Sequence, residues 1–90
     1  MTAIPIRDMS SDWNLDNRYE ATSDVSVLVS NTGVRVVYWT HTTDSTLPPH
    51  SPRQLSPLKP GEKERLSLRS GEFLWFAGDE AHINLEVMPV

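Results

Sequence analysis

The histidines are the side chains of this chain with the clearest capacity for metal or acid–base chemistry. There are three of them, His41, His50 and His82, and no two are spaced by the two or four positions that bring side chains onto one face of a strand or helix. Asp44 and Glu80 stand close to a histidine in sequence and offer carboxylate oxygens to complete a metal site. Because the spacing itself does not predict such a site, we expect histidines that are exposed or hydrogen-bonded locally.

The segment around the third histidine resembles part of a known metal motif. In "AGDEAHINLEV" (77–87), His82 precedes Asn84 by two residues, as in the second half of the cupin motif. The first half, a His-x-His followed by Glu, is missing, and "HTTD" (41–44) is a poor substitute for it. The resemblance implies a small cupin-like metal-binding protein, which we keep as an alternative.

Signatures of nucleophilic and nucleotide chemistry are missing from the sequence. The chain has no cysteine, no G-x-S-x-G elbow, no P-loop and no G-x-G-x-x-G segment. Its serines alternate along predicted strands or stand in predicted turns. The sequence therefore predicts a protein that is not an enzyme and carries no cofactor.

Three tryptophans, Trp13, Trp39 and Trp75, are many for a chain of 90 residues. Flat indole rings can stack on the faces of sugars, so a small carbohydrate-binding module with a glycan partner is a second alternative. Trp75 lies in the apolar run "EFLWFA" and Trp39 lies beside Tyr38 on a predicted strand. Both positions favour packing inside a fold over sugar binding.

Size and charge limit the possible partners. Ninety residues make one domain at most, and the formal net charge of -4 is unlike the basic excess of a general nucleic-acid binder. The sequence starts without the apolar segment of a signal peptide, and no apolar run approaches the roughly 18 residues of a membrane helix. We expect neither nucleic acid nor membrane as a partner, and assembly in the cytoplasm.

The elements that must position these residues are strands. "VSVLVS" (25–30) and "VRVVYWTH" (34–41) flank "NTG" and predict a hairpin. Pro60-Gly61 and Ser70-Gly71 predict two turns, separating "EKERLSLR", "EFLWFA" and "HINLEVM". A proline-rich loop carries a predicted short strand at 53–55. This rhythm predicts an all-β fold, a small antiparallel β-sandwich or barrel of about six to seven short strands.

Residues 1–23 differ from the domain that we place at 24–90. Their apolar residues are scattered, and acids recur at every fourth position, so we predict an extended N-terminal arm. Residues 1–24 carry five acids against two bases, whereas residues 51–70 carry five bases against two acids. This contrast predicts that the acidic arm docks on the basic segment (51–70), which includes Arg65 and Arg69, in its own chain or in a neighbour.

Several predicted strands are apolar on both faces, more than one small core would need. We predict that the second face contacts other proteins through Val37, Trp39, Leu74 and Phe76. Trp13, Arg65 and Arg69 complete this predicted interface. The open alternative is that the arm or the proline-rich loop of the same chain covers that face.

The order of these parts resembles a protein class. A valine-rich strand precedes "SNTG", an aromatic strand and a proline-rich loop, and "LKPGE", "LSL" and "SGEFLWF" follow before a closing strand. This order, over about residues 24–88, resembles the small β-sandwich proteins of tailed-bacteriophage virions. The resemblance implies a structural role in capsid decoration or as a tail accessory protein. It implies homo-oligomers, which we expect to be trimers or hexamers, and contacts with a major capsid or tail protein.

Overall fold

A computed structural model describes residues 2–7, 9–14, 17–48 and 56–90. These residues form eight β-strands and no α-helix, so the predicted all-β class is confirmed. The strands are β1 (Thr2–Ile6), β2 (Arg18–Glu20), β3 (Val25–Asn31), β4 (Val37–Thr42), β5 (Ser56–Leu58), β6 (Lys63–Leu68), β7 (Phe73–Ala77) and β8 (Ile83–Pro89). The described part of the chain contains no helix with the length and apolar character of a membrane span. The predicted strand at 53–55 lies outside the described residues.

The strands form two four-stranded antiparallel sheets. Sheet A has the order β1-β8-β3-β6 and sheet B the order β2-β7-β4-β5. The first four strands pair with the last four in reverse order: β1 with β8, β2 with β7, β3 with β6 and β4 with β5. This is the strand order of a jelly roll, a sandwich of two Greek keys. The predicted sandwich is confirmed, with eight strands in the described residues instead of six or seven.

The segment predicted as an arm contributes two strands to the sandwich. Ile4 on β1 lies opposite Leu85 on β8, and Tyr19 on β2 lies opposite Leu74 on β7. Ile4, Ile6 and Tyr19 are partly buried and pack against the core. These edge strands are short and place only a few side chains inward, which is why the sequence shows no sustained period there.

The chain crosses between sheets where the sequence predicts a hairpin. β3 lies in sheet A and β4 in sheet B, so the two strands do not pair and the hairpin prediction is wrong. Asn31 is buried, and its Nδ2 donates to the carbonyl oxygens of Arg35 (2.7 Å) and Leu58 (2.8 Å). Its Oδ1 accepts from the backbone N–H of Gly33 at 3.1 Å. The Asn-Thr-Gly sequence therefore holds a crossover together instead of closing a two-stranded turn.

Two turns of the same design enclose β6. Gly61 and Gly71 have φ of 83° and 88°, in the left-handed region that favours glycine, and both lie in the predicted turns. In each turn the glutamate that follows the glycine accepts a hydrogen bond, through its side chain, from the backbone N–H of the residue three positions earlier. Glu62 Oε1 accepts from the N–H of Lys59 at 2.7 Å, and Glu72 Oε1 accepts from the N–H of Arg69 at 2.6 Å. The second turn carries the chain from sheet A to sheet B, so strands adjacent in sequence need not pair.

The core lies between the inner faces of the two sheets. Sheet A supplies Val27, Val29 and Leu85, and sheet B supplies Leu74 and Phe76, all with 0% exposure. The alternation of buried and partly exposed side chains along β3 is what a half-buried strand requires. β7 differs, since all five of its residues are buried.

Candidate functional site

The outer face of β7 is covered within the chain. Phe73 is 6% and Trp75 is 0% exposed, although both point away from the core between the sheets. The guanidinium of Arg18 lies 4.7 Å from the ring centre of Phe73 and 5.2 Å from that of Trp75. Trp75 Nε1 donates to Thr42 Oγ1 at 2.8 Å. Arg18 of the N-terminal segment thus helps to cover the second apolar face, as in the alternative in which the chain covers itself.

Three residues of the predicted interface belong to the core. Val37, Leu74 and Phe76 have 0% exposure in the folded chain, so no partner can reach their side chains. The sequence pattern does not show which of the two apolar faces of β7 lies against the other sheet. The residues that β7 turns outward are Phe73 and Trp75, while Leu74 and Phe76 face sheet A.

The other predicted interface residues are at least partly exposed but lie in different places. Trp39 packs against the core from β4, and Trp13 lies between β1 and β2. Arg65 stands on β6, where its Nη1 donates to Ser26 Oγ at 3.2 Å, and Arg69 follows the end of the same strand. The structure therefore groups the two arginines along one edge of sheet A.

Among the described residues, no acid–base pair joins the acidic N-terminal segment (1–24) to the basic segment (51–70), although the two segments meet where Asp24 accepts from the N–H of Ser70. β1 and β6 are the two opposite edges of sheet A, and β2 belongs to sheet B. Among the described residues, the close contacts between acidic and basic side chains are Arg35 with Asp79 at 4.0 Å and His41 with Glu72 at 3.2 Å. Neither pair joins the two segments.

The described histidines do not converge on a site. His41 lies at the end of the sandwich where β3 begins, in a cleft of about 390 Å³. His82 lies at the opposite end, against Gly33 and next to the end of β3. His50 lies outside the described residues. No group of three His, Cys, Asp or Glu side chains in the described ranges is placed to hold a metal ion, so the cupin-like alternative has no ligand set there.

The polar groups of the His41 cleft are used to hold the chain together. The cleft is lined by Asp24, Val25, His41, Ser67, Leu68, Arg69, Glu72 and Val90. Glu72 accepts the Arg69 N–H through Oε1 and lies beside His41 Nε2 through Oε2. Asp24 Oδ1 accepts from the N–H of Ser70 at 3.0 Å. Both carboxylates therefore fix the turn between β6 and β7.

The glycan alternative loses one of its three indoles. Trp75 is fully buried and donates its N–H to Thr42, so it cannot stack on a sugar. Trp13 and Trp39 are partly exposed. Only these two could take part in sugar binding.

The outer face of sheet A is a broad surface that the sequence did not single out. Its outward side chains on the four strands are all exposed or partly exposed. They are Ala3 and Pro5 on β1, Asn84, Glu86 and Met88 on β8, Ser26, Leu28 and Ser30 on β3, and Lys63, Arg65 and Ser67 on β6. We call this set the outer face of sheet A. It contains small residues and has Leu28 near its centre.

The sheet edges are protected against pairing with another strand. Pro5 lies within β1 and Pro57 within β5, each on an edge strand, and proline cannot donate to a ladder. β6 carries exposed charges at Lys63 and Arg65, and β2 is only three residues long. Association through faces is therefore favoured over association through edges.

Comparison of the chain with protein-family models, with curated protein sequences and with solved structures finds no match.

Proposed function

We propose that this chain is a non-enzymatic structural protein of a phage particle, a capsid decoration or tail accessory protein. It acts through contacts with copies of itself and with a major capsid or tail protein, and it is assembled into the virion in the host cytoplasm. The observation that carries the proposal is the outer face of sheet A. The outward side chains of that face are exposed or partly exposed, while the apolar outer face of β7 is buried and the sheet edges are protected.

The fold supports a structural role. A jelly roll closes its hydrogen bonding into two sheets and leaves only short edges, which suits a rigid body packed among other proteins. Viral capsid proteins use this architecture repeatedly, as do lectins and cupins, so the fold by itself does not select the function. The order of turns and strands resembles that of phage virion proteins, and this resemblance favours a virion protein over a lectin or a cupin.

The use of polar side chains also supports a structural role. Asn31, Asp24 and Glu72 bond to backbone groups at crossovers and turns. Among the described residues, every buried side-chain nitrogen and oxygen has a hydrogen-bond partner. Enzyme sites commonly keep reactive polar groups in unusual surroundings, whereas these groups serve the chain's own geometry.

Attachment to particles tests the proposal. Purified protein would be added to phage particles assembled without it and the mixture sedimented. We expect the wild-type chain to sediment with the particles at a fixed ratio, and Leu28→Glu, on the outer face of sheet A, to lose most of this binding. Val34→Glu is the matched control because Val34 is 86% exposed in the crossover between β3 and β4. Absence of wild-type binding, or loss with Val34→Glu alone, would contradict the proposal.

A further inference from the structure

We infer that the outer face of sheet A binds the same face of a second copy, so that Arg65 of each copy meets Glu86 of the other on either side of a central pair of Leu28 side chains. This inference rests on the proposed function. The outer face of sheet A is the surface that carries that proposal, and the inference names a second copy as its partner. The arrangement is a two-fold, self-complementary contact.

The register of sheet A places the three residues in one row. Leu28 on β3 lies opposite Glu86 on β8 and opposite Arg65 on β6. Neighbouring strands are about 4.8 Å apart, so an acid and a base stand about 5 Å to either side of the leucine. All three side chains point outward from the sandwich, because they alternate with the buried Val27 and Val29 of β3 and with their partners.

A two-fold axis that runs parallel to β3 and lies between two stacked faces exchanges the two sides of this row. It places β6 of one copy over β8 of the other, and Leu28 over Leu28. Arg65 then faces Glu86 twice. In the adjacent row Lys63 and Asn84 flank Ser30 and are exchanged in the same way. The small Ser26 and Ser30 side chains allow the two sheets to approach to about 10 Å, the usual spacing of packed sheets.

Both charged groups are available for this contact. Within the described residues neither Arg65 nor Glu86 forms an ion pair, and Arg65 makes one side-chain hydrogen bond, to Ser26 of its own chain. Other surfaces suit a second copy less well. Proline and charge protect the edges, and the outer face of sheet B has its centre buried at Trp75 and Ala77.

The size of the face predicts a weak dimer. The two-fold places only β8, β3 and β6 of the two copies over one another. Three strands span about 15 Å across and six residues span about 20 Å along, which gives on the order of 300 Å² per copy. Stable specific interfaces bury about 800 Å² per partner. We therefore expect a dissociation constant on the order of 100 µM in solution. Copies held on one particle would pair far more completely, since their effective concentration is in the millimolar range.

Charge exchange between two variants tests the inference. Arg65→Glu gives a protein with two acids in the row, and Glu86→Arg gives one with two bases. Each variant alone brings like charges together, and we expect its self-association to weaken at least about tenfold. In an equal mixture every contact is again Arg with Glu, so we expect heterodimers with about the wild-type affinity. Analytical ultracentrifugation of each variant and of the mixture measures both effects.

The design excludes general charge attraction. The wild-type net charge is -4 and each exchange changes it by two, so the variants carry -6 and -2 and repel one another overall. Lys59→Glu, in the exposed turn before β6, changes the charge as Arg65→Glu does and is expected to dimerise as the wild type does. Circular dichroism would check that every variant is folded.

The outcomes separate this inference from the proposed function. A mixture that stays monomeric at concentrations where the wild type dimerises would overturn the inference, and so would a wild type that stays monomeric up to about 1 mM. If Leu28→Glu still abolished attachment to particles in that case, the face would bind a major structural protein, and the proposed function would stand without the dimer.

Discussion

Asn31 is the residue that joins the two sheets at the crossover between β3 and β4. Its side chain makes two donor bonds and one acceptor bond, and its backbone N–H donates to the carbonyl oxygen of Glu62 at 3.0 Å. An apolar residue here would leave three backbone groups without these partners, one of them in a buried bond and two in partly buried bonds. The side-chain amide is therefore a main support of the crossover.

We predict that Asn31→Ala lowers the free energy of unfolding by about 2–4 kcal/mol, because buried carbonyl and N–H groups lose their partners. Asn31→Asp should be worse, since it brings a carboxylate against the carbonyl oxygens of Arg35 and Leu58. Urea unfolding followed by tryptophan fluorescence measures both values. A loss below about 0.5 kcal/mol for the alanine variant, or a more stable aspartate variant, would contradict this account of the crossover.

Tyr19 links stability to alkaline pH. Burial raises the pKa of its hydroxyl above the usual value of 10.0, because desolvation disfavours the phenolate. The unfolded chain then loses this proton at lower pH than the folded chain. The stabilisation is fully present below about pH 10 and is lost as the pH rises through the higher folded pKa.

We predict that wild-type stability falls above about pH 10 by more than that of Tyr19→Phe, which has no titrating group at this position. Unfolding curves for the two proteins at pH 8 and at intervals above pH 10 would give the difference. Subtracting the unfolding free energy of Tyr19→Phe from that of the wild type at each pH removes the effect of lysine deprotonation, which the two proteins share. Equal slopes for the two proteins would show that Tyr19 is not linked to folding in this way.

The turns before and after β6 are elements whose backbone form requires glycine. Gly61 and Gly71 have positive φ, and a Cβ added to either would meet no atom within 4 Å. Substitution there is therefore limited by backbone strain and not by space. This separates the conformational contribution of the turn from packing.

We predict that Gly71→Ala costs about 1–2 kcal/mol of stability, the price of a left-handed conformation for an ordinary residue. Gly71→Asn should cost less, because asparagine tolerates this region better. Thermal unfolding of the two variants compares them at a site with the same surroundings. An asparagine variant that is less stable than the alanine variant would contradict the explanation by strain.

β1 lies in the segment that the sequence predicted as an arm, and its contribution to stability tests whether it is a strand of the sandwich. Ile4 and Ile6 face the core, whereas Pro5, between them, is exposed on the outer side. We predict that Ile4→Ala and Ile6→Ala each lower stability by about 1–2 kcal/mol, in proportion to their partial burial. Pro5→Ala, on the same strand, should change it by less than about 0.5 kcal/mol. Equal, negligible effects at all three positions would show that β1 is not part of the folded unit.

The strands were predictable where one face is buried and the pattern is regular. Alternation located β3, β6 and β8, and the glycine turns bounded β6. The pairing of strands was not predictable, because alternation shows which face of a strand is buried and says nothing about which sheet it joins. β1 and β2 were not predicted as strands, because each is a short edge strand stabilised by contacts from the other end of the chain.

The candidate surface was predictable only in parts. The sequence placed Leu28 on the face of its strand opposite Val27 and Val29, and it placed Arg65 outward on β6. That these residues share a row with Glu86 depends on the register of three strands, which is a tertiary property. The pattern also gave β7 two apolar faces, and only the structure shows that Arg18 covers the second one.

The whole molecule is a jelly roll whose most apolar strand is sealed by its own chain. Among the described residues, the outer face of sheet A is the sheet face that we propose meets other proteins. In that proposed role the chain would add stability to a particle through many weak, symmetric contacts instead of one strong one. Its net charge of -4 disfavours nonspecific association of single copies, while opposed charges within the face favour the proposed pairing at high local concentration.

The location of that surface is the central claim, and a dilution series by NMR tests it most directly. Backbone amide shifts would be recorded from about 10 µM to about 1 mM, a range that brackets the expected dissociation constant. We predict concentration-dependent shifts that cluster at Ser26, Leu28, Arg65, Glu86 and Met88. Shifts that cluster instead on the outer face of sheet B or around Val34, or a spectrum that does not change over this range, would contradict the claim.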